Sequence, residues 1–123
     1  MKITSLASSS KGNCYIINDG ISNLMIEAGI SLKSFRKKGF NPTELDGFLI
    51  SHEHGDHSKF WQDYIKYCHC YMSSGTEQAL GIDNSVYGWN YLTVQPLRTF
   101  KIKSLIITPF KTQHDAAEPL GFL

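Results

Sequence analysis

Apolar and polar positions along the chain mark out a series of short elements. Lys2 to Leu6 and Cys14 to Ile17 read as two β-strands, the second rich in β-favouring residues, with a small polar loop from Ser8 to Gly12 between them. Asp19-Gly20 is a hairpin-type turn, and Leu24-Met25-Ile26 is a third, largely apolar strand that stops at Ala28-Gly29. Ser31 is placed to N-cap a short basic helix carrying Leu32, Phe35 and Lys38, which Gly39 ends. Asn41-Pro42 breaks the chain again, and Gly47-Phe48-Leu49-Ile50 has the length and apolarity of a buried strand.

Ser51 to His57 is too polar for either element and reads as a loop. Phe60, Trp61, Tyr64 and Ile65 recur at helical spacing and predict a helix over Ser58 to Tyr67, with that stripe packed in the core. His69 to Met72 reads as a strand, Gly75 to Leu80 as a weak helix and Asn84 to Trp89 as turns. Phe100 to Ile102 and Leu105 to Pro109 are strands joined by a tight connection. Strands come first and then alternate with helices, which predicts an α/β (α+β) protein with a mixed sheet and flanking helices.

Composition narrows the class without choosing a function. A chain of 123 residues suits one domain over 1–123, and 41% hydrophobic with 19% charged residues is ordinary for a soluble protein. A net charge of +1 gives no global pull toward nucleic acid, so any such binding needs a local patch. The basic run Lys33, Arg36, Lys37, Lys38 is either a solvated helix face or a hold for a polyanion. Three cysteines, Cys14, Cys68 and Cys70, are too few and too irregular for a disulfide framework. With no signal-like segment at Met1 to Ser10 and no run near the ~18 apolar residues of a membrane span, a cytoplasmic protein without membrane contact is expected.

The chemistry concentrates in Ser51-His52-Glu53-His54-Gly55-Asp56-His57, which holds three of the five histidines. A buried strand feeds it and a helix follows, so its side chains belong at the C-terminal end of a strand, where α/β sheets place their sites. Imidazole and carboxylate are good ligands for zinc, manganese or iron. Histidines at i and i+2 on an extended segment point to one side and grip one ion, while Asp56 and His57 lean toward a second. Two ions about 4 Å apart activate water and clamp a phosphoryl oxygen.

Weaker signals surround this one. His114, in Thr112-Gln113-His114-Asp115, follows an apolar strand and is a candidate third ligand to the first ion, since a catalytic zinc takes three protein ligands and a water. Ser8 to Asn13, including Ser10 and Asn13, is either an anion-holding nest of backbone N–H groups or a plain turn. Glu27 either hydrogen-bonds a metal-bound histidine from behind or caps the next helix. In Cys68-His69-Cys70, strand alternation sets His69 opposite the cysteines, and no second cysteine pair exists, which favours a structural reading.

His52-x-His54-x-Asp56-His57 resembles the signature of the metallo-β-lactamase superfamily. Leu6-Ala7-Ser8-Ser9-Ser10-Lys11-Gly12-Asn13-Cys14, Met25-Ile26-Glu27-Ala28-Gly29 and His114-Asp115-Ala116-Ala117-Glu118-Pro119-Leu120-Gly121-Phe122 look like its YycJ/WalJ-like branch. The resemblance implies an αββα fold and two divalent ions, zinc or manganese. It also implies metal-dependent hydrolysis of DNA or another phosphodiester. It puts His52, His54 and His114 on the first ion and Asp56 and His57 on the second, with Asp56 also orienting or deprotonating the attacking water.

Two departures qualify it. Glu27 stands where the family usually has Asp. The family also continues past the point where this chain ends, through a second half with a bridging Asp and a further His. The expectation is therefore an N-terminal portion of the fold, whose exposed sheet face invites self-association into a homo-oligomer. The alternatives are a catalytically incomplete metal-binding fragment completed by self-association, and a thioester or lactam hydrolase on the same fold.

Overall fold

The structure is a computed structural model that describes residues 1–112 and 116–122. Its frame is a six-stranded mixed sheet, in the order β1 (Lys2–Ser9), β2 (Gly12–Asn18), β3 (Asn23–Ile26), β4 (Gly47–Leu49), β5 (Cys70–Met72), β6 (Tyr91–Thr93). The first three strands are antiparallel neighbours, and β3 to β6 run parallel. β1 and β2 reach further toward each other than the sequence suggested, pairing out to Ser9 and Gly12, so the polar loop shrinks to Ser10-Lys11. At the next turn Gly20 takes φ +94°, a conformation that favours glycine, and Asp19 Oδ1 accepts from the backbone N–H of Ile21 and Ser22.

Strand alternation divides the sheet into two apolar faces. Ile16, Met25, Phe48, Ile50, Cys70 and Met72 lie on one face under the helices, with Phe35, Trp61, Tyr64 and Ile65 packed over them. Leu24 and Leu49, with Ile17, Ile26 and Tyr71, lie on the other. That second face is covered by a hairpin of β7 (Phe100–Ile102) and β8 (Leu105–Ile107), whose Ile102, Leu105 and Ile107 are buried against it. Burial on both faces explains why β3 and β4 read as apolar runs.

The helices are short. α1 (Leu32–Lys37) is capped by Ser31, whose side chain accepts from the Ser34 N–H, and Phe35 is its buried residue. The helix expected over Ser58 to Tyr67 is instead two pieces, α2 (Gly55–Ser58) and α3 (Trp61–Tyr64). The break falls where the Phe60 N–H donates to Ala28 O (3.0 Å), a partner outside the helix. α4 (Ser74–Leu80) follows Ser73 as N-cap and ends at Gly81 in the left-handed region, and α5 (Asn84–Tyr87) precedes β6. β6 is an edge strand and half exposed. The strand read as Leu105 to Pro109 is divided, with β9 (Pro109–Lys111) pairing β10 (Leu120–Phe122). Leu120 N donates to Ser51 O (2.9 Å), which ties β10 to the start of the histidine motif.

Candidate metal centre

Glu27 follows the last residue of β3, and Ser51 and His52 lie just beyond the last residue of β4. Since β3 and β4 are parallel neighbours, these residues emerge side by side at one edge of the sheet. Ser51 to His54 is an irregular, bent segment before α2 begins at Gly55, and Asp56 and His57 are helical rather than part of a loop. Ser58 Oγ donates to Glu53 O (2.7 Å) and His54 O (3.1 Å), which folds the helix back on its own lead-in.

The His52 ring lies close to both other rings of the motif. The His52 ring centroid lies 4.8 Å from that of His54 and 4.1 Å from that of His57. His52 is buried, and His54, Asp56 and His57 are partly exposed. Asp56 Oδ2 is 3.3 Å from His57 Nε2. His114 lies outside the described residues, so its position carries no structural statement.

Glu27 is the hub behind these rings. The residue is 4% exposed, and its backbone sits at φ +71°, a strained conformation for a residue with a side chain. Oε1 accepts from the Ser51 N–H (2.8 Å), and Oε2 accepts from Ser51 Oγ (2.6 Å) and from His57 Nδ1. Ser51 Oγ is also 2.7 Å from His52 Nδ1. A carboxylate oxygen of Glu27 and one nitrogen each from His52 and His57 fall within 4.8 Å of one another, which taken alone is metal-binding spacing. Both Glu27 oxygens, however, already accept hydrogen bonds from protein donors. The carboxylate therefore engages His57 at Nδ1 directly and His52 at Nδ1 through Ser51 Oγ. That donor set of imidazoles with the nearby Asp56 carboxylate suits a divalent ion such as zinc or manganese. The same carboxylate raises the pKa of His57, first through its hydrogen bond and then through its charge, with burial opposing.

Of the other residues singled out in the sequence, Asn13 belongs here and Ser10 does not. Asn13 is buried, and its Nδ2 donates to Ser9 O (3.0 Å), Asp56 O (3.2 Å) and Asp56 Oδ2 (3.2 Å) and lies 3.5 Å from His57 Nε2. Ser10 is exposed at the hairpin turn. The Ser8 to Asn13 stretch thus serves the site through the Asn13 amide. Lys33, Arg36, Lys37 and Lys38 are all exposed. Cys70 is buried, His69 is exposed, and burial pushes the Cys68 thiol up to about 12 and that of Cys70 well above its ordinary value, which is unsuited to thiolate ligation.

Three glycine and serine positions escaped the sequence reading. Ser51 gave no signal beyond preceding a histidine. Gly29 lies where three backbone segments meet: a Cβ there would stand 2.5 Å from Asn13 N and closer still to Asp56 O. Gly12 packs against the same point, since its Cβ would meet Gly29 O at 2.5 Å. Such close approach is visible only once the strands are assembled.

Comparison with known proteins agrees with this geometry. The family model described as the metallo-beta-lactamase superfamily matches residues 10–66. The chain is 29% identical over 128 residues to the exodeoxyribonuclease YycJ of Bacillus anthracis, covering 95% of this chain and 47% of that protein. It is 37% identical over 60 residues to the exodeoxyribonuclease WalJ of Streptococcus pneumoniae, covering 46% of this chain and 22% of that protein. Among solved structures, a subclass B3 metallo-beta-lactamase from a soil metagenome library superposes with a TM-score of 0.76 at 19% identity, over 98% of this chain and 53% of that one. A variant of a flavo di-iron protein from Thermotoga maritima gives 0.72 at 14% identity, over 91% and 30%. The chain thus spans about half the length of the Bacillus relative and of the lactamase.

Proposed function

We propose that this chain, which belongs to the metallo-β-lactamase superfamily, carries the metal-binding edge of a hydrolase that cleaves phosphodiester bonds in DNA. The observation that carries the reading is the arrangement of His52 and His57, each held at Nδ1 from behind with Asp56 beside them. Likeness to exodeoxyribonucleases supplies the substrate class.

In this reading His52 and His54, with His114, hold one divalent ion, and Asp56 and His57 contribute to a second. Bound ions of this kind supply Lewis acidity and a water of lowered pKa. Asp56 orients the attacking water and accepts its proton. Asn13 fixes Asp56 by donating to its side chain and its backbone carbonyl. Glu27 fixes His57 through Nδ1.

A lactam or thioester reading would need an apolar recess beside the histidines. The apolar cavity lined by Ile17, Leu24, Ile26, Leu49, Leu105 and Ile107 includes none of the site residues and lies under the β7–β8 hairpin, on the other face. Among the described residues no helix is long and apolar enough to cross a membrane, so nothing in the described helices opposes a nucleic-acid substrate in solution.

The test is a zinc and manganese titration paired with degradation of end-labelled single- and double-stranded DNA. The wild-type chain should bind the ions and shorten DNA only in their presence, and Asp56→Asn should keep the ion held by His52 and His54, weaken the second and lose cleavage. Cleavage of a lactam or thioester with none of DNA would refute the substrate assignment. Unchanged cleavage by Asp56→Asn would refute its role.

A further inference from the structure

We infer that Ser51 is a positioning residue, and that through it the Glu27 carboxylate fixes the tautomer of His52 as well as that of His57. The inference rests on the metal-site reading above and extends it to a residue that binds no ion itself.

The argument is a count of protons. A carboxylate at neutral pH only accepts hydrogen bonds. His57 Nδ1 lies against Glu27 Oε2, so Nδ1 carries the hydrogen and a neutral ring presents Nε2 as its lone pair. Ser51 Oγ has one hydrogen, and Glu27 Oε2 at 2.6 Å takes it. Toward His52 Nδ1, 2.7 Å away, the same oxygen therefore only accepts. His52 Nδ1 must then also be the N–H nitrogen, and its Nε2 the lone pair. One buried carboxylate thus sets two imidazoles, one directly and one through a serine hydroxyl.

The surroundings hold this relay in place. The Ser51 backbone N–H donates to Glu27 Oε1 at 2.8 Å, so serine and carboxylate meet at two points and the backbone bond keeps Oε2 within reach of Oγ. The Glu27 N–H donates to Leu49 O (2.8 Å), and the Leu120 N–H donates to Ser51 O (2.9 Å), so both backbones are anchored. The positive φ of Glu27 turns its side chain across from β3 to the end of β4. Backbone strain at a buried charged residue persists where surrounding contacts over-determine it. Here the contacts that do so are the ones that orient the histidines.

The test reads the tautomer directly. In metal-free protein labelled with 15N histidine, at about pH 9 and so above the ordinary imidazole range, long-range proton–nitrogen correlation distinguishes Nδ1–H from Nε2–H rings. Wild-type His52 should be an Nδ1–H ring. In Ser51→Val it should move toward the Nε2–H form that free histidine favours, and the zinc dissociation constant should rise roughly 10- to 100-fold. Ser51→Thr, which restores the hydroxyl on the same branched frame, should restore both readouts. An Nε2–H ring at His52 in the wild type would overturn the inference even if the variants fail to fold. So would a Ser51→Val protein matching Ser51→Thr in tautomer and zinc affinity. A wild-type Nδ1–H ring that depends on the Ser51 hydroxyl, in a protein that binds no zinc, would uphold the relay and refute the metal reading instead.

Discussion

Gly29→Ala puts the assembly of the site under the most direct mechanical test. The added methyl would lie 2.5 Å from Asn13 N, 2.8 Å from Asn13 O and closer still to Asp56 O. All three neighbours are backbone atoms, two on Asn13 and one on Asp56, so no side chain can rotate away to make room. Overpacking of this kind costs about 1–3 kcal/mol, and the rigidity here points to the upper end. Relief by separation would also break the bond from Gly29 N to Asn13 O (3.0 Å), adding about 1 kcal/mol. The expected loss is about 4 kcal/mol, a large share of the ~5–15 kcal/mol that holds a small domain together. In thermal unfolding this corresponds to a fall of roughly 15 °C.

The same displacement moves Asn13 and Asp56, so zinc affinity should drop ~10-fold or more. Gly55→Ala is the matched control. It lies in the same motif, its Cβ would meet nothing within 4 Å, and alanine is the better helix former, so stability should hold or rise slightly. Urea denaturation and zinc titration of both variants check the pair. A Gly29→Ala protein within about 0.5 kcal/mol of wild type, a change typical of an unconstrained surface position, would refute the claim that three backbones meet there.

Two further outcomes follow from the charged and buried groups. Asp19 is held down to about 2, first by the Ser104 hydroxyl and then by the backbone N–H groups of Ser22 and Ile21. A depressed carboxylate contributes stability that is full above its unfolded value near 4 and is lost as pH falls through about 2. Acid unfolding between those values should therefore be shallower in Asp19→Asn, and an unchanged profile would count against the Asp19–Ser104 link between the β2–β3 turn and the β7–β8 hairpin. Burial raises Cys14 and Cys68 to about 12 and Cys70 well above its ordinary value, so at pH 8 all three thiols should react with iodoacetamide far more slowly in the native protein than in urea. Rapid native alkylation of Cys70 would contradict its place in the core.

Much of this architecture was legible because its strongest elements are periodic. The apolar runs at Leu24 to Ile26 and Phe48 to Ile50 are buried on both sheet faces, and such strands announce themselves by composition. The histidine motif was legible for a different reason: ligand-type residues rarely crowd into so short a stretch. What escaped the sequence depends on contacts between segments. The helix expected from Ser58 to Tyr67 breaks because Phe60 finds Ala28 O as its partner, which no local pattern encodes. β6 is a three-residue, half-exposed edge, too short to show a period of its own. Glu27 was ambiguous between a histidine partner and a helix cap. Only its positive φ and the adjacency of β3 and β4 turn it toward Ser51 and His57, while Ser31 does the capping.

The central claim is that His52 and His54 help hold a divalent ion. Its most direct test is elemental analysis of the 123-residue chain after equilibration with zinc and removal of free metal, alongside His52→Ala and His54→Ala. The account predicts at least one ion per wild-type chain, with loss of most of it in both variants. Retention of the same zinc content in either variant, or none in a folded wild-type chain, would contradict it.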